Sequence, residues 1–212
     1  MIRFSVISFL ILFLFASCSL RTTEGLRQIP VVDHEINNPY FADANLDYVY
    51  KAKIEVYKKN FGGILIIKKT GFRNHRIVMT TEFGNKLFDL EFDGDTFTKN
   101  YVVEELDRKF ILNVLQEDFK LLLNQNAVVL ASYESDSERV FKTKNGNRFD
   151  FYFFGKPSGF LNKIVKTSKS REKVAVDFST LNGRVAEIIS IKHFNIQLKI
   201  DLEKFKEDEN VN

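Results

Sequence analysis

Alternation with a period of two residues runs through most of this chain and leaves room for little but sheet. Tyr48, Tyr50, Ala52, Ile54 and Val56 fall on one side of a segment whose other side carries Lys51, Lys53 and Glu55. Such a pattern is that of a strand buried on one face only. Phe88, Leu90 and Phe92 alternate with Asp89 and Glu91 in the same way, as do Ile196, Leu198, Ile200 and Leu202 with their neighbours. Further strands are expected at residues 64–69, 75–81, 139–142, 149–153, 160–166, 174–178 and 185–192, and one more after the turn Asp93-Gly94-Asp95. Asn145-Gly146 and Asn182-Gly183 supply hairpin turns, because Asn and Gly tolerate the positive φ that tight hairpins need.

One stretch has the other period. Leu106, Phe110, Val114, Leu115, Phe119, Leu122 and Leu123 recur at helical spacing between Glu105 and Asn124, with Asp107, Arg108, Gln116 and Asp118 between them, predicting an amphipathic helix. About eleven strands around one helix make a mostly β, α+β domain, a largely antiparallel sheet over residues 46–205. A helix inserted between two runs of hairpins can cover the apolar side of a curled sheet, so the expected architecture is an unclosed β-barrel with a helical lid or plug.

The apolar side of that barrel is assigned to Ile54, Phe88, Leu90, Phe92, Phe149, Phe151 and Phe153, under a helix carrying Phe110 and Val114. The chain holds 22 Phe and 7 Tyr but no Trp, enough aromatic volume for a large core or for a cavity that takes acyl chains. Periodicity does not separate those two readings.

The first seventeen residues have the order of an export signal: Arg3, an apolar run from Phe4 to Phe15, then the small residues Ala16 and Ser17. The run is about twelve residues, or about 18 Å of helix, too short for a hydrocarbon core of about 30 Å. Cys18 is the chain's one cysteine. Phe15-Ala16-Ser17-Cys18 resembles the bacterial lipobox, which implies cleavage before Cys18 and a covalent lipid on its sulfur. Ser19 is not the Asp that retains lipoproteins in the inner membrane of enteric bacteria, so the implied address is the periplasmic face of the outer membrane. Residues 18–45, with Gly25, Pro30 and Pro39 and no sustained period, are expected to form a lipidated tether, and residues 206–212 a C-terminal tail.

Catalytic and metal chemistry find little support. His34, His75 and His193 lack ligand spacing and are expected at the surface. Asp93-Gly94-Asp95 lacks the remaining acidic positions of a calcium loop, and Gly155-Lys156-Pro157-Ser158-Gly159 places its serine one position late for a nucleophile elbow. An enzyme is therefore not expected, nor a cofactor beyond the lipid on Cys18. Lys and Arg number 31 against 28 Asp and Glu, and without Arg3 the balance is closer still, so nucleic acid is not an expected partner.

Residues 66–92 carry a resemblance to a known family. Lys68-Lys69-Thr70-Gly71, the strand Arg76-Ile77-Val78-Met79-Thr80-Thr81, the loop Glu82-Phe83-Gly84 and the strand from Lys86 to Phe92 follow one another at the spacing of the outer-membrane lipoprotein receptors of the LolB family, with the soluble LolA carriers as more distant relatives. Val185-Ala186-Glu187-Ile188 and the residues from Asn195 to Ile200 add a weaker match. The resemblance implies a monomeric half-barrel that takes lipidated proteins from a periplasmic LolA-like carrier and releases them into membrane lipid. Phe83 stands where that family carries an exposed Leu that dips into the bilayer; the alternative is that Phe83 folds back into the core. The alternative function is an anchored lipid-binding or envelope-assembly accessory protein with no transfer role.

Overall fold

In a computed structural model, residues 21–168 and 171–205 are described. After a short 3-10 turn at Arg21–Thr23, fourteen strands and one helix follow: β1 (Arg27–Ile29), β2 (Glu35–Asn37), β3 (Asp47–Val56), β4 (Lys59–Lys69), β5 (Asn74–Thr80), β6 (Lys86–Asp93), β7 (Thr96–Val102), α1 (Lys109–Leu123), β8 (Asn126–Glu134), β9 (Glu138–Asn145), β10 (Arg148–Gly155), β11 (Leu161–Ser168), β12 (Arg171–Thr180), β13 (Ala186–His193) and β14 (Leu198–Lys204). The strands form one antiparallel sheet in the order β1-β8-β9-β10-β11-β12-β13-β14-β3-β4-β5-β6-β7, with β2 also on β8. Its two ends, β1 and β7, are not paired with each other, so the barrel is open.

The alternating segments became strands in the expected phase. Tyr48, Tyr50, Ala52, Ile54 and Val56 are all buried along β3, and Leu198, Ile200 and Leu202 along β14. Register carries that face across the sheet: Ile200 lies opposite both Ile54 and Ile191. Helix α1 covers the same face through Ile111, Leu115, Phe119 and Leu122. Asp93-Gly94, Asn145-Gly146 and Asn182-Gly183 sit at the hairpin ends, with φ of 55°, 59° and 72° at the glycines.

Four differences from the sequence reading have physical causes. Three strands were not expected. β8 shows no clean alternation because Val128 and Leu130 are exposed while Ser132 is buried. β1 and β2 lie in the segment expected to be a tether, and its residues 36–41 are instead packed down. Ile36, Asn38, Tyr40 and Phe41 are buried, and the Tyr40 hydroxyl donates to the carbonyl of Leu161 at 2.7 Å.

The helix begins at Lys109 rather than Glu105. Val103–Arg108 fold as turns, with Leu106 and Asp107 both bonded back to the carbonyl of Val103. Asp107 is held outward by Lys99 at 2.8 Å, and Arg108 is extended. At the other end Asn38 donates from its side chain to the carbonyls of Leu122 and Asn124 at 3.1 and 3.2 Å, satisfying acceptors that a helix end leaves free.

Strand β10 is apolar on both faces, and its inward phase is the opposite of the expected one. Tyr152 belongs to the main core and Phe154 packs against it, whereas Phe151 and Phe153 form a second cluster with Val140, Val165 and Ala175. Successive strand residues face opposite sides, so Phe149, Phe151 and Phe153 lie on the convex face, roofed by Leu26. Asp150 is on the inward side with Tyr152 and is buried.

Two of the three histidines are also not at the surface. His75 is 2% exposed, and its Nε2–H donates to the carbonyl of Phe41 at 3.0 Å. The His193 side chain is 6% exposed and pairs with Asp118.

Candidate functional site

The candidate site is the concave face with α1 lying on it. Ile54, Phe88 and Leu90 are fully buried there, and Phe92 nearly so. The helix reaches them through Phe119, whose ring centroid is 6.1 Å from that of Phe88 and 6.3 Å from that of Phe92. These contacts fill the space beneath α1 with side chains, and Ile54, Phe88 and Leu90 line neither of the two cavities beside the helix.

One of those cavities, about 590 Å³, opens along the C-terminal half of α1. Phe72, Phe92 and Leu121 contribute apolar walls, while Arg73, Lys144 and Asp150 contribute polar ones. The second, about 300 Å³, runs beside the N-terminal half and is lined by Phe110, Val114, Val174 and Ile196, with Asp118 and His193 among its polar residues. Val114 packs against the core while also edging this cleft, whereas Phe110 edges the cleft only and is 48% exposed.

Polar ties hold the helix between the two cavities. Asp118 accepts a 2.8 Å hydrogen bond from His193 of β13. The Lys166 ammonium on β11, itself buried, donates to Glu117 at 3.1 Å, and Arg148 of β10 meets the same carboxylate at 3.1 Å. Burial pushes the Asp118 carboxyl above its ordinary value against the pull of His193. Burial raises Glu117 as well, but Lys166 and Arg148 outweigh it and hold that carboxyl low. Asp150 is raised by burial despite the hydrogen bond from Asn145, and its Oδ1 has no hydrogen-bond partner. Sequence reading did not find these groups because their partners lie 75 and 49 positions away with no local pattern to link them.

Phe83 sits in the loop between β5 and β6 and is 94% exposed. The loop closes through the Thr81 N–H on the Asn85 carbonyl at 2.8 Å and the Gly84 N–H on the Thr81 carbonyl at 2.9 Å, with Gly84 at φ 85°. Cys18 lies outside the described residues. Among the described residues, no helix is long and apolar enough to cross a membrane.

No family model matches the chain, and no curated protein matches it. Among solved structures, a LolA superfamily protein from Nitrosomonas europaea superposes with a TM-score of 0.48 at 8% identity, over 80% of this chain and 88% of that one. An outer membrane lipoprotein-sorting protein domain from Vibrio parahaemolyticus gives a TM-score of 0.42 at 6% identity, over 78% and 87%. Neither likeness is close enough to bear on function.

Proposed function

We propose that this chain is an exported lipoprotein, acylated at Cys18 and held at the periplasmic face of the outer membrane. Its half-barrel accepts the acyl chains of lipidated proteins from a soluble LolA-like carrier and passes them to membrane lipid. One observation carries the reading: the large apolar concave face is covered by a single fifteen-residue helix flanked by two cavities. A helix joined to the sheet by side chains, rather than by a ladder, can shift without breaking strand pairing. Each acyl methylene removed from water is worth about 0.8 kcal/mol, so the core exposed by such a shift would bind lipid without an external energy source. Phe83, exposed on its loop, is the group assigned to enter the bilayer at release. The protein acts as a monomeric carrier, not a catalyst.

A fluorescent acyl probe tests the reading on the chain from Ser19 onward. Binding that is lost on Leu90→Glu, in a chain that still folds, supports it. Depletion in cells should leave lipidated proteins in the wrong membrane fraction. The close packing of Ile54, Phe88 and Leu90 under α1 favours a second reading, an envelope-assembly accessory protein with a solid core. A folded chain that binds no acyl probe would select it.

A further inference from the structure

Two turns at one end of the sheet are bonded into a single tip. The Tyr57 N–H between β3 and β4 donates to the Gln197 carbonyl between β13 and β14 at 2.8 Å, and the Phe194 N–H donates to the Lys173 carbonyl at 3.0 Å. Tyr57 and Phe194 are 57% and 51% exposed there. Tyr57 is held at φ 52°, a left-handed conformation that a residue other than glycine seldom adopts. Lys58 and Lys59 follow Tyr57 in its turn, Lys173 is bonded to Phe194 through the backbone, and the Lys192 ammonium lies over the Phe194 ring at 5.9 Å; none of the four forms an ion pair among the described residues. Strand alternation places the Phe83 loop at this same end of the sheet.

The start of the described chain lies here too. Thr22 donates to the Glu172 carboxylate at 2.8 Å, beside the first residues of β12. Cys18 precedes Arg21 by three positions, a reach of about 10 Å at most. A lipid on that cysteine would enter its bilayer close to the tip.

We propose that this tip is a docking surface for an anionic bilayer, a second membrane contact distinct from the Phe83 loop. Unpaired lysines supply attraction to anionic headgroups, about fivefold in affinity for each one near the surface, and Tyr and Phe side chains settle at the headgroup level. The orientation of the anchored protein rests on the proposed acylation of Cys18; the docking itself does not, and it is measured without the lipid.

The chain from Ser19 onward holds every described residue. It is floated with vesicles of phosphatidylcholine alone, or of phosphatidylcholine and phosphatidylglycerol in equal parts, at about 0.1 M and about 1 M salt. It should rise with the mixed vesicles only and be released at high salt. Lys58→Glu with Lys59→Glu should weaken binding at least about tenfold, and Phe194→Ser should weaken it while leaving circular dichroism unchanged. Leu181→Ser, in the exposed loop between β12 and β13 at the opposite end, should change nothing. Equal flotation with both vesicles, flotation with neither, or indifference to the lysine reversals overturns the proposal; flotation with neither directs the patch to an acidic protein instead. Acyl-probe affinity measured on the same sample separates the two ideas, since its loss removes the delivery reading and leaves the docking. In the acylated full chain, a fluorophore at Tyr57→Cys should be quenched by a quencher on the lipid headgroups and one at Leu181→Cys should not. Equal quenching at both positions overturns the orientation.

Discussion

His193 of β13 and Asp118 of α1 are joined by a 2.8 Å hydrogen bond with their side chains 6% and 1% exposed, so the helix over the concave face is fastened by a buried polar pair as well as by apolar contact. Removing one member leaves the other without its hydrogen-bond partner, which typically costs about 1–3 kcal/mol. His193→Ala should cost that much in denaturant unfolding. The double variant His193→Ala with Asp118→Leu should lose clearly less than the sum of the two single changes. Additive losses would mean that the pair does not act as a unit.

Asn38 ties the N-terminal segment to the end of α1. Asn38→Ala frees two carbonyl acceptors from their side-chain donor and should lower stability by about 1–3 kcal/mol. Deleting residues 21–45 should lower it much further, because Tyr40 and Phe41 leave the core with them. A free spacer could be removed with no change in melting temperature, so an unchanged melting temperature would contradict the packing described.

The two faces of the sheet should separate by assay, with Phe151 of β10 on the convex side and Leu90 of β6 on the concave one. Phe151→Ala empties a place in the convex cluster and should cost about 3–5 kcal/mol, while the folded fraction keeps its acyl-probe affinity. Leu90→Glu on the concave face should abolish probe binding. Equal loss of affinity from both changes would mean that the outer cluster also lines the binding space.

Phe83 touches little of the fold. Phe83→Glu should shift stability by no more than about 0.5 kcal/mol and leave cargo capture intact, yet impair transfer from the protein into vesicles. Phe83→Leu should be nearly silent in both. Normal transfer by Phe83→Glu removes the membrane-entry role of this loop.

His75 makes the fold sensitive to mild acid. Burial holds its imidazole below the ordinary 6.5, only partly opposed by the hydrogen bond to Phe41. Below pH 6.5 the unfolded chain takes up a proton that the folded chain resists. The stabilisation is therefore fully present above that pH and declines as pH falls through the folded value. The slope from one such group is at most about 1.4 kcal/mol per pH unit. Asp118, raised by burial, works in the opposite sense, contributing most below the ordinary carboxylate range and losing that contribution as pH rises. The comparison is therefore His75→Gln against the parent chain from pH 7 to 5, where the variant should show the flatter curve. Parallel curves would mean that His75 is protonated as readily folded as unfolded.

What the sequence determined by itself was local. Period-two alternation in β3, β6 and β14 settled which residues turn inward, because a strand with one charged side has only one way to bury the other. The Asn-Gly and Asp-Gly pairs placed hairpins because few other residues tolerate positive φ. The exposure of Phe83 was legible as one of two alternatives, since a short polar loop ending on Gly84 has little means of burying a large ring. Tertiary structure decided what depended on partners distant in sequence. In β10 both faces are apolar, so the assignment of Phe151 to the concave face failed where alternation alone did not separate it from Tyr152; Tyr152 takes the inward place, and its hydroxyl meets the Asn124 side chain at the end of α1 at 3.3 Å. Asp118 and His193 read as surface residues because each is polar on its own, and they are buried because each satisfies the other. Residues 35–41 show no period, yet they are packed down, because the edge of β8 and the end of α1 leave donors and acceptors that Ile36 and Asn38 complete through their own backbone and side chain.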